Sequence, residues 1–130
     1  MELQNNALFW QKIDTLFFSS EVVIDRPKKT THPQFANLIY PVDYGYLKDT
    51  VSADNAGVDV FVGSQSKKKN SIETIVIAVD ILKKDVEIKI LHGCDEAEVN
   101  EILLFLNQTD FKKSILVRKG LEIPAWAETQ

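Results

Sequence analysis

Cysteine is nearly absent from this 130-residue chain: there is one, Cys94, so no internal disulfide can form. A chain held together without disulfides suits a reducing compartment, and the expectation is a cytoplasmic protein. Proline (4) and glycine (5) are too few for a collagen-like or low-complexity chain. No apolar run approaches the ~20 residues that cross a bilayer. The start, Met1-Glu2-Leu3-Gln4-Asn5, has no basic segment ahead of an apolar one, which argues against a secretory signal and a membrane partner. Excess positive charge is also missing: 15 Lys and Arg against 19 Asp and Glu give −4, which argues against nucleic acid as the main partner.

What is present is ordinary globular material, with 45% hydrophobic and 26% charged residues, enough for one domain over residues 1–130. Phe9, Ile13, Leu16 and Phe17 recur at helical spacing, with Trp10 beside them, and predict an amphipathic helix over residues 3–18. That helix covers a sheet or serves a homo-oligomeric contact. Strands are predicted at 21–25, 58–62, 71–82, 85–90 and 114–118, each rich in β-branched residues. In 85–90 the alternation sets Asp85, Glu87 and Lys89 on one face. Val86, Ile88 and Ile90 then fall on the core side. Asp95, with Glu98 three residues on, caps a helix over 95–107. Strands outnumber helices, so the expected fold is α+β and mainly β: a small five-stranded antiparallel, OB-like barrel with peripheral helices.

The chemistry concentrates between Tyr40 and Ser64. Tyr40-Pro41-Val42-Asp43-Tyr44-Gly45-Tyr46 packs three tyrosines around a proline and a glycine. Asp54 and Asp59 then flank the turn residues Asn55-Ala56-Gly57. Two carboxylates brought together suit a hard divalent cation such as Mg2+. Arg26, Lys28 and Lys29 lie in a polar loop that reads as solvated or as a cationic lip for phosphate, and His32 reads as a surface residue.

These residues resemble the signature of soluble family I inorganic pyrophosphatases. The likeness covers about residues 21–92: Tyr-Pro-x-x-Tyr-Gly-Tyr, then acids where that family has Asp-Gly-Asp-Pro-x-Asp. It implies Mg-dependent hydrolysis of pyrophosphate to two phosphates, with Mn2+ as a substitute ion. It further implies Asp54, Asp59 and Asp85 as metal ligands and Tyr44 as the catalytic hydrogen-bond donor. Tyr40, Lys28, Lys29 and Lys89 would bind substrate, and Asp25 would lie in a metal's outer shell. In the family, the strand aspartate matched by Asp85 is followed two residues later by a phosphate-binding lysine; this chain has Glu87 there, with Lys89 on the same face. The family's water-activating aspartate is replaced by Ala56, whose methyl accepts no proton. Activity is therefore expected to be weak. The alternative is a non-catalytic module of the same ancestry that binds metal-complexed phosphate or nucleotide.

Overall fold

A computed structural model of the chain describes residues 5–52 and 56–120. Asp54 and Asn55 lie outside these, as does the tail after Gly120. The elements are α1 (Ala7–Phe18), β1 (Val22–Arg26), β2 (Asp43–Leu47), β3 (Asp59–Val62), β4 (Thr74–Asp80), β5 (Asp85–His92), α2 (Glu96–Leu106) and β6 (Lys112–Arg118), with a 3-10 turn at Ser66–Lys68. The fold is mainly β with two helices, as expected. No helix among the described residues is long and apolar enough to cross a membrane.

The sheet has six strands in the order β1-β2-β3-β5-β4-β6. The strand not foreseen is β2, the tyrosine segment itself, where aromatic β-formers outweigh the turn character of Gly45. Gly45 is required there because β1 crosses so closely: a Cβ would stand 1.8 Å from the Val23 carbonyl oxygen. All pairs are antiparallel except β3–β5, which is parallel.

Adjacent residues on the central strands point to opposite faces, and both faces are buried over their middle. Val60, Ile75 and Ile90 face α1, together with Trp10, Phe17 and Leu47. Phe61, Val76 and Leu91 face α2, together with Tyr40, Val42, Ile102 and Phe105. This two-sided burial explains why the stretch around β4 is continuously apolar.

Three expectations of facing change. In α1 the buried residues are Trp10 and Phe17, whereas Phe9 and Leu16 are largely exposed, so the helix is rolled relative to the predicted stripe. The anchor is polar: Trp10 Nε1 donates to Asn5 Oδ1 at 2.6 Å, and Asn5 Nδ2 donates to the Arg118 carbonyl at 2.6 Å. In β5 the polar side chains turn inward: Glu87 and Lys89 are buried, while Val86 and Ile88 are exposed. Of Val86, Ile88 and Ile90, only Ile90 lies in a core, the one under α1. Past β4, Ile81 and Leu82 are exposed in the hairpin turn rather than part of a buried strand.

The α2 start is as the sequence implies. Asp95 Oδ1 accepts from Glu98 N at 2.8 Å and Glu98 Oε1 accepts from Asp95 N at 2.9 Å, a complete capping box. Asp95→Ala should lower unfolding free energy by ~1 kcal/mol. Ile102→Ala, at a fully buried site, should cost ~2–5 kcal/mol. Urea titrations followed by circular dichroism read both, and a cost for Asp95→Ala equal to that for Ile102→Ala would contradict this ranking.

Candidate functional site

Helix α2 covers only part of its face of the sheet. The uncovered part forms a cavity of about 600 Å³, walled by the end of α2, the segment 32–40 and the β4–β5 turn. Its floor is set by strand parity. Tyr44 of β2, Asp59 of β3, Glu87 and Lys89 of β5, Asp80 of β4 and Lys112 of β6 all enter it.

At the centre is a buried lysine. Lys89 Nζ lies 2.7 Å from Asp59 Oδ2, 3.6 Å from Glu87 Oε2 and 3.0 Å from the Tyr44 hydroxyl oxygen. Its side chain is 4% exposed, so the ammonium is sustained by these neighbours rather than by water. Burial works against the charge, but Tyr44, Asp59 and Glu87 outweigh it and hold the Lys89 pKa well above its ordinary value. Burial likewise pushes the Tyr44 phenol well up, against the opposing pull of Lys89. The Tyr44 hydroxyl is shared between Lys89 and Asp59.

A second group gathers around the tyrosines. Arg26 Nη1 donates to the Tyr40 hydroxyl, and its guanidinium lies 5.7 and 5.8 Å from the Tyr40 and Tyr44 ring centres. The imidazole of His32 stacks on Tyr40 with planes 12° apart. Burial, then Arg26, Lys112 and Lys83, keep the His32 pKa below its usual value. Burial, then Lys89, lower that of Lys112, with Lys83 adding to the effect and Glu87 opposing it. Arg26, Lys83 and Lys112 thus line one cavity beside the His32 ring, whose Nδ1 accepts from the Gln34 N–H at 3.0 Å. Asp80 is committed to structure, since its Oδ1 accepts from the backbone N–H groups of Leu82 and Lys83 at 3.0 Å each. Cys94 stands apart; burial, Glu98 and Asp95 push its thiol up to about 12, which makes it a poor nucleophile.

Of the residues singled out in the sequence, Tyr40, Tyr44, Asp59, Lys89 and Asp25 line the cavity, Asp25 at an irregularity in the β1–β2 pairing. Ala56 lines it as well. Lys28 and Lys29 do not: they lie exposed in a turn, where Lys28 N–H donates to Asp43 Oδ1 at 2.9 Å and Lys29 N–H donates to the Tyr40 carbonyl at 2.8 Å. Asp85 is paired with Asp80 at the far end of β5, whereas Lys89 is paired with Asp59. Four strand positions span roughly 13 Å, while two oxygens on one Mg2+ lie within ~4 Å of each other. Asp54 is outside the described residues. Among those described, no group of three or more His, Cys, Asp or Glu side chains could hold a metal ion. The two acids that do converge, Asp59 and Glu87, hold an ammonium between them. With Asp59 so engaged and Asp85 remote, the described carboxylates do not fit a shared hard cation.

Sequence reasoning missed Glu87, Lys83, Lys112 and the inward role of His32. Glu87 had a usable signal: in Glu87-Ile88-Lys89 an acid is followed two residues later by a lysine, and this pair, not Asp85, enters the cavity. Lys83 and Lys112 had none, because nothing in the chain marks a hairpin turn and an edge strand as neighbours.

No protein-family model matches the sequence, and no curated protein does. Solved structures are similar in fold. An inorganic phosphatase from Anaplasma phagocytophilum aligns over 75% of this chain and 81% of its own, with a TM-score of 0.50 and 14% identity. An inorganic pyrophosphatase from Neisseria gonorrhoeae aligns over 72% and 75%, with a TM-score of 0.48 and 13% identity. The chain shares the fold of the Anaplasma protein; at 14% identity that likeness carries no activity with it.

Both Lys89 and Tyr44 have raised pKa values, which fixes the sign of an alkaline effect. Near pH 10 the unfolded chain sheds these protons, while the folded chain keeps them. Raising the pH beyond that point therefore favours unfolding. The melting temperature should fall above about pH 10, and Tyr44→Phe should flatten the fall. At neutral pH, Lys89→Met leaves Asp59 and Glu87 uncompensated and should cost ~3–5 kcal/mol. An unchanged melting temperature for Lys89→Met would show that the ion cluster is not held as described.

Proposed function

We propose that the cavity is a phosphoanhydride site, and that the chain binds pyrophosphate or a related compound with hydrolysis at most residual. The observation that carries this reading is the set of cations Arg26, Lys83 and Lys112 facing one cavity, with the His32 ring beside them. An anion entering among Arg26, Lys83 and Lys112 would offset their like charge. The Tyr40 oxygen already accepts from Arg26, which leaves its O–H to donate to a phosphate oxygen. Lys89 offsets part of the negative charge of Asp59 and Glu87, which lessens their repulsion of the ligand. In this reading Mg2+ or Mn2+ arrives bound to the anion instead of residing on Asp54, Asp59 and Asp85.

Hydrolysis of pyrophosphate, the second reading, is favoured by the retained tyrosines and Asp59 and opposed by Ala56. That position faces the cavity, so its lack of a proton acceptor matters where the water would attack. A positioned base contributes ~10²- to 10⁴-fold.

Calorimetric titration of the wild type with magnesium pyrophosphate should show binding, while a phosphate-release assay shows little or no turnover. Ala56→Asp should raise release by ~100-fold or more. Absence of binding would remove the site altogether. Wild-type turnover that Ala56→Asp does not improve would make the chain an enzyme with another base.

A further inference from the structure

The cavity is larger and more apolar than an inorganic anion requires. At about 600 Å³ it falls in the range of ~300–1,000 Å³ typical of sites for drug-sized organic ligands. Beside its cations stands an aromatic wall. Phe35 and Phe111 lie 5.9 Å apart, and Phe35 is 5.2 Å from His32, which stacks on Tyr40. All four rings line the cavity. Phe35 is 39% exposed and Leu82, across the mouth, is 69% exposed.

Exposed aromatic and aliphatic side chains at the mouth of a cavity lose water contact only when something apolar enters. An inorganic phosphate compound has no surface that could cover them. A planar ring has, because any flat π-face stacks on aromatic side chains irrespective of its hydrogen-bonding edge.

We infer that the ligand is a nucleotide-type phosphoanhydride, a nucleoside diphosphate being the simplest case, with its phosphates at Arg26, Lys83 and Lys112 and its base against Phe35 and Phe111. This rests on the reading of the cavity as a phosphoanhydride site and narrows its ligand class. The cations and the aromatic wall are separate parts of one lining, so the two halves of the ligand can be tested separately. Phe35 and Phe111 come from the segment 32–40 and the approach to β6, both outside the sheet, and neither touches the ion cluster at Lys89.

The test is calorimetric titration of the full chain with the magnesium complexes of ADP and of pyrophosphate, for wild type, Phe35→Ala, Phe35→Leu and Lys112→Ala. Stacking of one base is worth ~1–3 kcal/mol, or about 5- to 150-fold in affinity. ADP should therefore bind wild type at least ~5-fold tighter than pyrophosphate does. Phe35→Ala and Phe35→Leu should both weaken ADP by ~5-fold or more and leave pyrophosphate unchanged. Lys112→Ala should weaken both ligands. Phe35→Leu keeps the apolar bulk, so a loss there reports the flat ring and not a damaged fold.

If pyrophosphate binds as tightly as ADP, or if neither Phe35 variant separates the two, the nucleotide inference is overturned and the phosphoanhydride site stands. If neither ligand binds wild type, both readings fall.

Discussion

One ammonium group organises the functional half of this molecule. Lys89 is taken almost wholly out of water, which by itself costs several kcal/mol. That cost is offset only because Asp59, from the parallel neighbour β3, and Glu87, two positions back on the same strand, converge on it. Tyr44 from β2 closes the group. Three strands are thereby fixed in register by a charge that none could bury alone. The arrangement specifies more than it stabilises, since apolar side chains of like volume would fill the space at no greater cost.

The same group changes what the fold can do. Two acids, Asp59 and Glu87, are spent on a lysine, and Ala56, which has no proton acceptor on its side chain, lines the cavity. The remaining cations, Arg26, Lys83 and Lys112, face the cavity from three different segments, and His32 joins them from a fourth. Strand parity links the charged floor to the hydrophobic core. The parity that sends Ile90 under α1 sends Lys89 and Glu87 the other way, and α2 is too short to cover them. Lengthening α2 would fill the cavity with helix; its actual end, with Phe105 and Leu106, forms a wall instead.

The apolar outer edge of the sheet follows from the same inversion. With Glu87 and Lys89 turned in, Val86 and Ile88 must point out, next to Val79 and Ile115 on the neighbouring strands. A strand that reads as polar-out is in fact polar-in. The pattern of alternation survives while its direction reverses.

The sequence by itself determined the elements and their periods: the capped helix from Asp95, the apolar strand at β4, the alternation in β5, and the tyrosine segment with Asp59 as the place where chemistry gathers. These depend on local chemistry, on caps, β-branching and period, which neighbours along the chain set. Tertiary structure alone decided which side of each element is wet. It rolled α1 onto Trp10, turned Glu87 and Lys89 inward, left Asp85 remote from Asp59, and brought Lys83, Lys112 and His32 to one cavity. A period of two fixes that faces alternate but not which face meets a helix. That choice rests on contacts between segments far apart in the chain, such as Lys89 with Asp59 and Trp10 with the residues under α1, which no local pattern encodes.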